Sequence, residues 1–426
     1  MNLIFQNAAA TYARSLVALL LGLFSSRWVL QALGASDFGL YAVVGSVVTV
    51  FSFLGWMLNI SVARNYAFEI GRSNRNSEQL GQWFSAAWAI HFALAVGILL
   101  VGWPVGELIV RRGLCIPAER VETCVLVFRL SLLSACAAIL AVPFGAMFTA
   151  QQKFVKMAFL GLGQTFVVFF GAIWLLNLEG DRLLVYAGYM ALAFVGYAIA
   201  QVVWGMVEFP VCRALFVRPC WEKVRAILSF AGWTIFGSGG YMVTLSGGAC
   251  VTNLFFGAGA NAAYGVSQQV QYHSEQLANS MVGAFEPAVT ARAGEGNRMG
   301  FLRLVRQSGF LSAALFLLIA IPLFILMDWV LELWLGTPPE GTSAVCRVML
   351  VGMAVNRLTT GQQLALNARG RIAGWQMTTG CIWMMSVPVA AVFAWSGCGM
   401  TSAAWAYLVS AIGCGIANLL FARRLV

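Results

Sequence analysis

The sequence predicts an all-α polytopic membrane protein with about twelve transmembrane helices in two six-helix lobes related by a parallel internal repeat. Of its 426 residues, 60% are hydrophobic and 10% are charged, whereas about a quarter of the residues in a soluble domain are charged. Apolar runs of about 20 residues, the length that a helix needs to cross a bilayer, recur along the chain. LGASDFGLYAV at 33–43 also matches FGAGANAAYGV at 256–266, 223 positions later.

The repeat extends beyond this pair of stretches. Its spacing varies only by the amount that short loop insertions produce, and duplication of this kind is typical of secondary transporters. The further matches are Arg129, Ala150 and Lys153 with Arg347, Ala368 and Arg371 at a spacing of 218, and Glu107-Leu108 with Glu332-Leu333 at a spacing of 225.

Each apolar run defines one predicted helix. We number these helices 1 to 12 and place them at 10–33, 38–60, 83–110, 124–149, 154–176, 183–206, 226–255, 261–291, 310–335, 345–366, 374–395 and 402–421. The predicted domains are a first lobe at 1–207, a cytoplasmic linker at 208–225 and a second lobe at 226–426. Because each lobe holds an even number of helices, both lobes enter the membrane from the same side, which makes the repeat parallel.

The distribution of lysine and arginine predicts the orientation. Loops on one side of the predicted helices, with the C-terminus, carry seventeen of these residues, and loops on the other side carry six. The positive-inside rule therefore predicts that both termini are cytoplasmic. The net charge of +10 is explained by this bias, so a nucleic-acid partner is not expected. Helix 1 lacks a basic segment before it and a clear cleavage site, and we expect it to be retained.

The residues of enzymatic and metal chemistry are sparse. The chain has ten cysteines, without a CxxC pair, and two histidines, so neither a metal site nor another cofactor is predicted. Cys115 and Cys124 lie near the outer face and could form a disulfide in an oxidising compartment. No set of catalytic residues stands out, and the polar loops are too short to fold as a catalytic domain.

Helix 1 carries two arginines, Arg14 and Arg27, and no acidic residue. Arg14 is close enough to the cytoplasmic end for its side chain to reach the lipid headgroups. Arg27 is deeper, and its side chain either lines a cavity or reaches the outer interface. Charged residues inside a membrane usually face a partner helix or a water-filled cavity.

Helices 8 and 10 each carry polar side chains at helical spacing, which places them along one face. Amides in such a stripe can simply form hydrogen bonds between helices. The added charges of Glu275, Glu286 and Arg357 favour a wet central cavity instead. The stripes are Gln268, Tyr272, Glu275, Asn279 and Glu286 in helix 8, and Asn356, Arg357, Thr360, Gln363 and Asn367 in helix 10.

Arginines in both lobes suit an anionic substrate, because guanidinium binds phosphate in a bidentate manner and keeps its charge when partly desolvated. We therefore predict a substrate cavity that includes Arg14, Arg27, Tyr272, Asn279, Asn356, Arg357 and Gln363. The helix 8 carboxylates, Glu275 and Glu286, either pair with the arginines in the empty cavity or carry a coupling proton or sodium ion.

Glycines and prolines mark the places where helices end or bend. Gly34 and Gly257 are predicted at tight turns on the outer side, where the backbone needs a left-handed conformation or a close approach. Pro143 in helix 4 and Pro322 in helix 9 are predicted kink sites, because each removes a backbone donor inside an apolar segment.

Over nearly its whole length the chain resembles the polysaccharide-export, or O-antigen flippase, branch of the multidrug/oligosaccharidyl-lipid/polysaccharide (MOP) exporter superfamily. The resemblance depends on the order and spacing of several motifs rather than on any single one. They are LGASDFGLYAV at 33–43, IPAERV at 116–121, SFAGWTIFG at 229–237, NLFFGAGANAAYGVSQQV at 253–270 and LELWLGTPPE at 331–340.

The resemblance implies a MATE-like V of two lobes, a central cationic cavity and alternating access in the bacterial inner membrane. The implied activity is transfer of an undecaprenyl-diphosphate-linked oligosaccharide to the outer leaflet, with polysaccharide-assembly enzymes as possible partners. Basic residues of helix 1 line the cavity in such proteins, which maps first onto Arg27 and then onto Arg14. Arg64 maps to the cytoplasmic entrance.

Two other functions stay open at this stage. A cation-coupled multidrug exporter of the same superfamily would be expected to carry acids in the first lobe, and helices 1 to 6 have no clear mid-span acid, although helix 8 has Glu275 and Glu286. A membrane-embedded sugar polymerase or ligase would need an external loop with catalytic groups, and the outer loops are short apart from 111–121.

Overall fold

The structure is a computed structural model that describes residues 2–72, 77–114, 116–215, 217–370 and 372–423. Within these ranges it consists of helices and connecting loops, without a strand. The chain divides into two compact units, unit 1 (Met1–Leu228) and unit 2 (Ser229–Val426). Four residues used in the predictions lie outside the described ranges. They are Arg75 and Arg424 of the charge count, Cys115 of the disulfide and Arg371 of the repeat.

Unit 1 is built around α4, which packs against α1, α2 and α6. Apolar side chains all round α4 allow it to be buried on most sides, and Phe128, Phe144 and Phe148 are fully buried. The helices are α1 (Asn2–Arg72), α2 (Ser77–Gly97), α3 (Trp103–Leu108), α4 (Val121–Ala150), α5 (Phe154–Leu176) and α6 (Arg182–Glu208), with π-helical turns at Ile98–Gly102 and Ile109–Gly113 and 3-10 turns at Ala118–Arg120 and Pro210–Arg213.

Unit 2 has a comparable core, in which Tyr407 and Trp383 stack beside Phe316 and Met327. Its helices are α7 (Trp221–Gly294), which begins in unit 1, α8 (Arg298–Ile325), α9 (Met327–Leu335), α10 (Thr342–Leu358), α11 (Thr360–Arg369), α12 (Ala373–Trp395) and α13 (Ser402–Arg423), with a 3-10 turn at Gly399–Thr401.

The predicted fold class is confirmed. In the described part of the chain, nine helices are long and apolar enough to cross a membrane. The other three predicted spans are also helical. Helices 2 and 8 form the second halves of α1 and α7, and helix 10 corresponds to α10 and α11.

Two predicted helices are interrupted in the structure. Helix 10 breaks at Thr359, whose hydroxyl donates to the Asn356 carbonyl at 3.1 Å and accepts from Asn418 Nδ2 at 2.9 Å. Such side-chain bonds compete with the helical backbone pattern. Helix 9 is two helices that meet at Leu326, four residues after Pro322, and it begins twelve residues earlier than predicted, at Arg298.

Gly34 and Gly257 interrupt α1 and α7 at equivalent positions of the repeat. Gly34 has φ 74° and ψ 168°, and Gly257 has φ 80° and ψ −175°. This region of backbone space is available almost only to glycine. The prediction of a special backbone conformation at both glycines is therefore confirmed, and each of the two long helices is a pair of spans joined at one residue.

Replacing Gly34 or Gly257 with alanine is expected to lower the free energy of unfolding by about 1–3 kcal/mol. The new methyl group would meet no atom within 4 Å at either position, so the loss would come from the backbone alone. Thermal unfolding of the purified protein measures it. Gly39→Ala and Gly259→Ala are matched controls, because both sites are equally open and neither has a positive φ. Equal stability of all four variants would contradict the prediction.

The loop between α4 and α5 matches the loop between α11 and α12. Gln152 has φ 57° and Gly370, 218 positions later, has φ 76°. The spacing is that of the Arg129 and Arg347 pair. Both loops thus have a residue with positive φ at this position, glutamine in unit 1 and glycine in unit 2. The Gln152 carbonyl accepts a hydrogen bond from Asn7 Nδ2 at 2.7 Å, which helps to hold this backbone in place.

Gln152→Gly is expected to raise the free energy of unfolding by about 0.5–1 kcal/mol, because glycine removes the steric cost of the left-handed conformation. The bond from Asn7 is to the backbone and survives the change. Gln151→Gly is the adjacent control. Gln151 has φ −82°, so glycine there should be neutral or destabilising. Thermal unfolding should rank the Gln152→Gly variant above the wild type, and the reverse order would refute the argument.

The segment that follows α6 packs on unit 1. Cys212 is fully buried, and burial raises the pKa of its thiol to about 12. Lys223, in the first turn of α7, donates to Gln82 Oε1 at 3.0 Å. One turn later the Ile227 carbonyl accepts from Ser61 Oγ at 2.8 Å. The first turns of α7 therefore belong to unit 1, whereas the domain boundaries at 207 and 226 stay a prediction.

Ion pairs connect motifs that are distant in sequence. Arg120, from the IPAERV motif, bonds to Asp37 of the LGASDFGLYAV motif at 2.6 Å and to Asp181 at 2.9 Å. These contacts join the start of α6, the turn before α4 and the break in α1 at one end of unit 1.

The repeated arginines Arg129 and Arg347 each pair with an acid on the preceding helical segment. Arg129 bonds to Glu107 at 2.8 Å. Arg347 bonds not to Glu332, the repeat partner of Glu107, but to Asp328 one turn earlier, at 2.7 Å.

Candidate functional site

Unit 1 contains a cavity of about 400 Å³ between α1, α4, α5 and α6, which we call the unit 1 pocket. It lies among apolar helices, yet polar groups from several of them reach it. Its lining residues are Thr11, Arg14, Asn59, Ala138, Val142, Gly145, Thr149, Phe154, Met157, Ala158, Tyr197, Ala198 and Gln201.

Arg14 is the charged side chain among the described residues that line the unit 1 pocket. It comes from the first half of α1 and is half-buried. No carboxylate lies within 4 Å of it among the residues described here, since the ion pairs of unit 1 all involve other arginines and lysines. An arginine in this setting gives the pocket a net positive charge, which favours an anion.

Neutral hydrogen-bonding groups also line the unit 1 pocket. Gln201 is 8% exposed, and its Nε2 lies 3.9 Å from the Met157 sulfur, which is a weak acceptor. Asn59 Oδ1 is buried and has no hydrogen-bond partner in the described part of the chain. A buried polar group without a partner is costly, so Gln201 and Asn59 have bonding capacity left for a ligand or for water.

Arg27 lies elsewhere on α1. It is exposed and is absent from the lining of the unit 1 pocket. Thirteen residues of helix separate it from Arg14, or about 20 Å along the axis. The structure therefore places the two arginines in different surroundings, and the assignment of Arg27 to a substrate cavity stays a prediction.

Arg64 lies near the end of α1, where its Nη1 donates to Asn65 Oδ1 at 2.9 Å and its guanidinium stacks over Phe68 at 4.8 Å. Burial lowers the pKa of Arg64 to about 10. Guanidinium remains protonated at neutral pH even with such a shift. Arg64 is therefore a fixed positive charge beyond the end of predicted helix 2.

Unit 2 holds the second group of polar side chains. Arg357, at the end of α10, is 8% exposed, and its Nη1 donates to Asn279 Oδ1 at 2.7 Å. No Asp or Glu lies within 4 Å of the guanidinium in the described residues of unit 2. Asn356 is beside it and accepts from Gln363 Nε2 at 3.0 Å. Four of these predicted site residues are thus brought together as two bonded pairs.

Glu275 is held by a separate network. Its Oε1 accepts from the Tyr241 hydroxyl at 2.9 Å, and Gln271 Nε2 bonds to Tyr241 at 2.7 Å and to Tyr407 at 3.1 Å. Gln271 Oε1 is buried without a partner among the described residues. The carboxylate therefore accepts from one hydroxyl, which in turn accepts from an amide, and its remaining oxygen lone pairs suit a proton or a small cation.

Tyr272 and Glu286, also on the predicted helix 8 stripe, lie in other surroundings. Tyr272 is 59% exposed and accepts a hydrogen bond from Gln276 at 2.8 Å. Glu286 is half-buried near the end of α7, with no basic group within 4 Å in the described residues. Neither contacts the Arg357 pair or the Glu275 network in the bonds described.

Several members of these sites were missed by sequence reasoning. Asn59 and Gln201 are amides inside apolar runs, and their position was a usable signal, because such groups are costly in hydrocarbon. Gln271 lies one turn from Gln268 and Glu275, so it could have been added to the helix 8 stripe. Tyr241 and Tyr407 gave no signal, because aromatic residues are common throughout these helices.

Metal-ligating groups do not cluster in the described residues. No set of three or more His, Cys, Asp or Glu side chains lies close enough to hold a metal ion there. Cys124 is a buried free thiol, and its predicted partner Cys115 is outside the described residues.

Comparison with known proteins gives structural neighbours only. No protein-family model and no curated protein matches the chain. A crystal structure of a MATE mutant matches with a TM-score of 0.86 at 14% identity, over 99% of this chain and 95% of the other. An outward-facing multidrug resistance MATE family transporter of the MOP superfamily matches with a TM-score of 0.84, at the same identity and coverage.

A third neighbour is a MOP superfamily transporter from Pyrococcus furiosus. It matches with a TM-score of 0.82 at 15% identity, over 99% of this chain and 95% of that one. The structure of that protein was interpreted as having a binding pocket of reversed polarity, which suggested a different function for it.

These matches define the class of the fold. The chain has the fold of MATE transporters of the MOP superfamily, and its apolar helices make it a multi-pass membrane protein. At 14–15% identity these neighbours show the fold alone, so membership of the superfamily and of its flippase branch stays a prediction.

Proposed function

We propose that the protein is a membrane transporter that moves an undecaprenyl-diphosphate-linked oligosaccharide from the cytoplasmic to the outer leaflet by alternating access. The observation that carries the proposal is the environment of Arg357, which is 8% exposed and has an amide rather than a carboxylate as its partner. A buried charge is normally paired. A transported diphosphate would supply the missing anion.

The unit 1 pocket supports the same substrate class. It adds a second arginine, Arg14, without an acidic residue in its lining. A multidrug exporter for organic cations would be better served by a carboxylate at this place. The sugar part of the substrate comes from the resemblance of the motifs, and the diphosphate is the part that the charges favour.

The remaining assignments extend this proposal. The protein would lie in a bacterial inner membrane with both termini in the cytoplasm, and Arg64 would attract the substrate at the cytoplasmic entrance. Glu275 would carry a coupling proton or sodium ion, because its carboxylate accepts from the Tyr241 hydroxyl, which in turn accepts from the Gln271 amide. Glu286 is a second candidate for coupling. Polysaccharide-assembly enzymes would supply the substrate and use the product.

The second candidate function is a cation-coupled multidrug exporter. The Glu275 network and the MATE fold of the neighbours favour it. The two functions differ in the sign of the substrate charge. Measuring the transport of an anion and of a cation with the same protein preparation therefore distinguishes the flippase from the multidrug exporter.

The test is reconstitution in liposomes, with a fluorescent undecaprenyl-diphosphate oligosaccharide in one arm and an organic cation under a proton or sodium gradient in the other. The expected result is flipping of the lipid, reduced in Arg14→Ala and unaffected in Arg303→Ala, a change of an exposed arginine at the start of α8. Arg27→Ala decides whether that residue contributes. Gradient-driven export of the cation, without flipping of lipids that carry several different sugars, would reject the proposal.

A further inference from the structure

The two longest polar side chains of the unit 1 pocket each lie against a glycine. A Cβ atom added to Gly161 on α5 would be 2.2 Å from Arg14 Nη1. A Cβ added to Gly145 on α4 would be 2.1 Å from Gln201 Nε2. Both distances are well under 3.0 Å, which real Cβ atoms essentially never show. The ends of Arg14 and Gln201 therefore occupy space that only a glycine leaves free.

Neither glycine is needed for the backbone of its helix. Both lie inside regular helices without a positive φ. Each carbonyl accepts a hydrogen bond from the threonine one turn later, Thr149 at 3.2 Å and Thr165 at 2.8 Å. Glycine costs a helix about 0.5–1 kcal/mol relative to alanine. At both positions the absence of a Cβ atom leaves room for a polar side chain of another helix.

Alanine at these positions would displace the side chains at little cost to the fold. The atoms in the way are the far ends of flexible chains, so Arg14 and Gln201 would turn aside while the helices stay in place. Gly163, two residues after Gly161, meets nothing within 4 Å. It gives the same chemical change on the same helix without displacing the arginine.

We infer that Gly161 and Gly145 are positioning residues, which hold Arg14 and Gln201 where the unit 1 pocket binds the phosphate groups of the transported anion. The identity of the anion rests on the proposed function, whereas the positioning does not. Arg14 provides the charge, and the Gln201 amide provides a neutral donor in the same pocket.

The positioning is tested first without a ligand. Thr11 lines the pocket one turn before Arg14, so in Thr11→Cys the new thiol reports the local potential. Labelling by a negatively charged methanethiosulfonate, divided by labelling with the positively charged analogue, is measured by mass spectrometry of the peptide. We expect Gly161→Ala to lower this ratio by about threefold or more, towards the ratio with Arg14→Ala. Gly163→Ala should leave it unchanged.

Binding is tested next, with inorganic pyrophosphate as the probe and calorimetry as the measurement. Gly161→Ala should weaken binding by about tenfold or more, the loss expected for one misplaced charge-assisted hydrogen bond. Adding Arg14→Ala should cause no further loss, because both changes remove the same contact. Arg14→Lys in the Gly161→Ala protein should recover part of the binding, since a lysine lacks the guanidinium that alanine displaces. Gly145→Ala should weaken binding less.

The two proposals fail in different ways. If the wild type does not bind pyrophosphate but the labelling ratio still depends on Gly161, the positioning stands and the diphosphate substrate is rejected. If Gly161→Ala and Gly163→Ala give the same labelling ratio, the positioning inference is overturned, whatever the protein transports.

Discussion

Replacing Arg357 with glutamine is expected to lower the initial rate of lipid flipping by about tenfold or more, and to leave the protein at least as stable as the wild type. A hydrogen bond to a charged group contributes about 1.5–3 kcal/mol, which corresponds to this loss of rate. Stability should not fall, because the wild type keeps a charge buried at 8% exposure with a neutral partner, Asn279, and burying such a charge is itself costly.

The measurement compares flipping in liposomes with thermal unfolding of the same preparations. Arg369→Gln is the matched control, because it removes the same charge from the end of the next helix, where Arg369 is exposed and stacks over Phe301 at 5.2 Å. Wild-type flipping by Arg357→Gln, or a loss of flipping that follows a loss of stability, would show that Arg357 serves the structure rather than the substrate.

The largest effect on folding is expected from Gly240→Ala, where α7 crosses α12. A Cβ at Gly240 would lie 2.4 Å from the Gly380 carbonyl oxygen and 2.8 Å from the Gly380 Cα. Both are backbone atoms, so no side-chain rotation can relieve the clash and the helices have to separate. We expect a loss of about 1–3 kcal/mol in the free energy of unfolding, or more if the crossing opens.

Gly239→Ala is the control for this prediction. It adds the same methyl group one residue earlier, where nothing lies within 4 Å, so the higher helix propensity of alanine should leave the stability unchanged or slightly raised. Melting temperatures of the two purified variants decide the matter. A similar shift in both would mean that the close approach of α7 and α12 does not limit stability.

Some of the sites could be predicted from sequence and others could not. Arg357, Asn279, Asn356 and Gln363 were all recognised as polar residues within apolar helices, and the structure joins them in two bonded pairs. Their pairing was not predictable, because helical spacing places residues on a face of one helix without identifying the helix opposite. The same limit explains why Tyr272, on the predicted stripe, is exposed.

The break in predicted helix 10 shows a related limit. Thr359 lies within the predicted helix, shortly after the polar pair Asn356 and Arg357, and no proline marks the position as a helix end. Its hydroxyl is bonded by Asn418, which lies on α13, the last helix of unit 2. One of the two side-chain bonds at the interruption therefore exists only after the helices have packed.

The sequence alone determined the fold class, the number and approximate position of the apolar helices, the internal repeat and the special backbone at Gly34 and Gly257. These follow from local properties, since the bilayer requires an apolar run of fixed length and the backbone conformation of Gly34 and Gly257 is available almost only to glycine. Only the tertiary structure decided that Arg14 lies against Gly161, that Gln201 shares its pocket, and that Arg357 has no acidic partner among the described residues. Those facts depend on which residues of different helices come into contact. Nearly all the helix surfaces are hydrophobic, so hydrophobicity does not specify which helix packs against which.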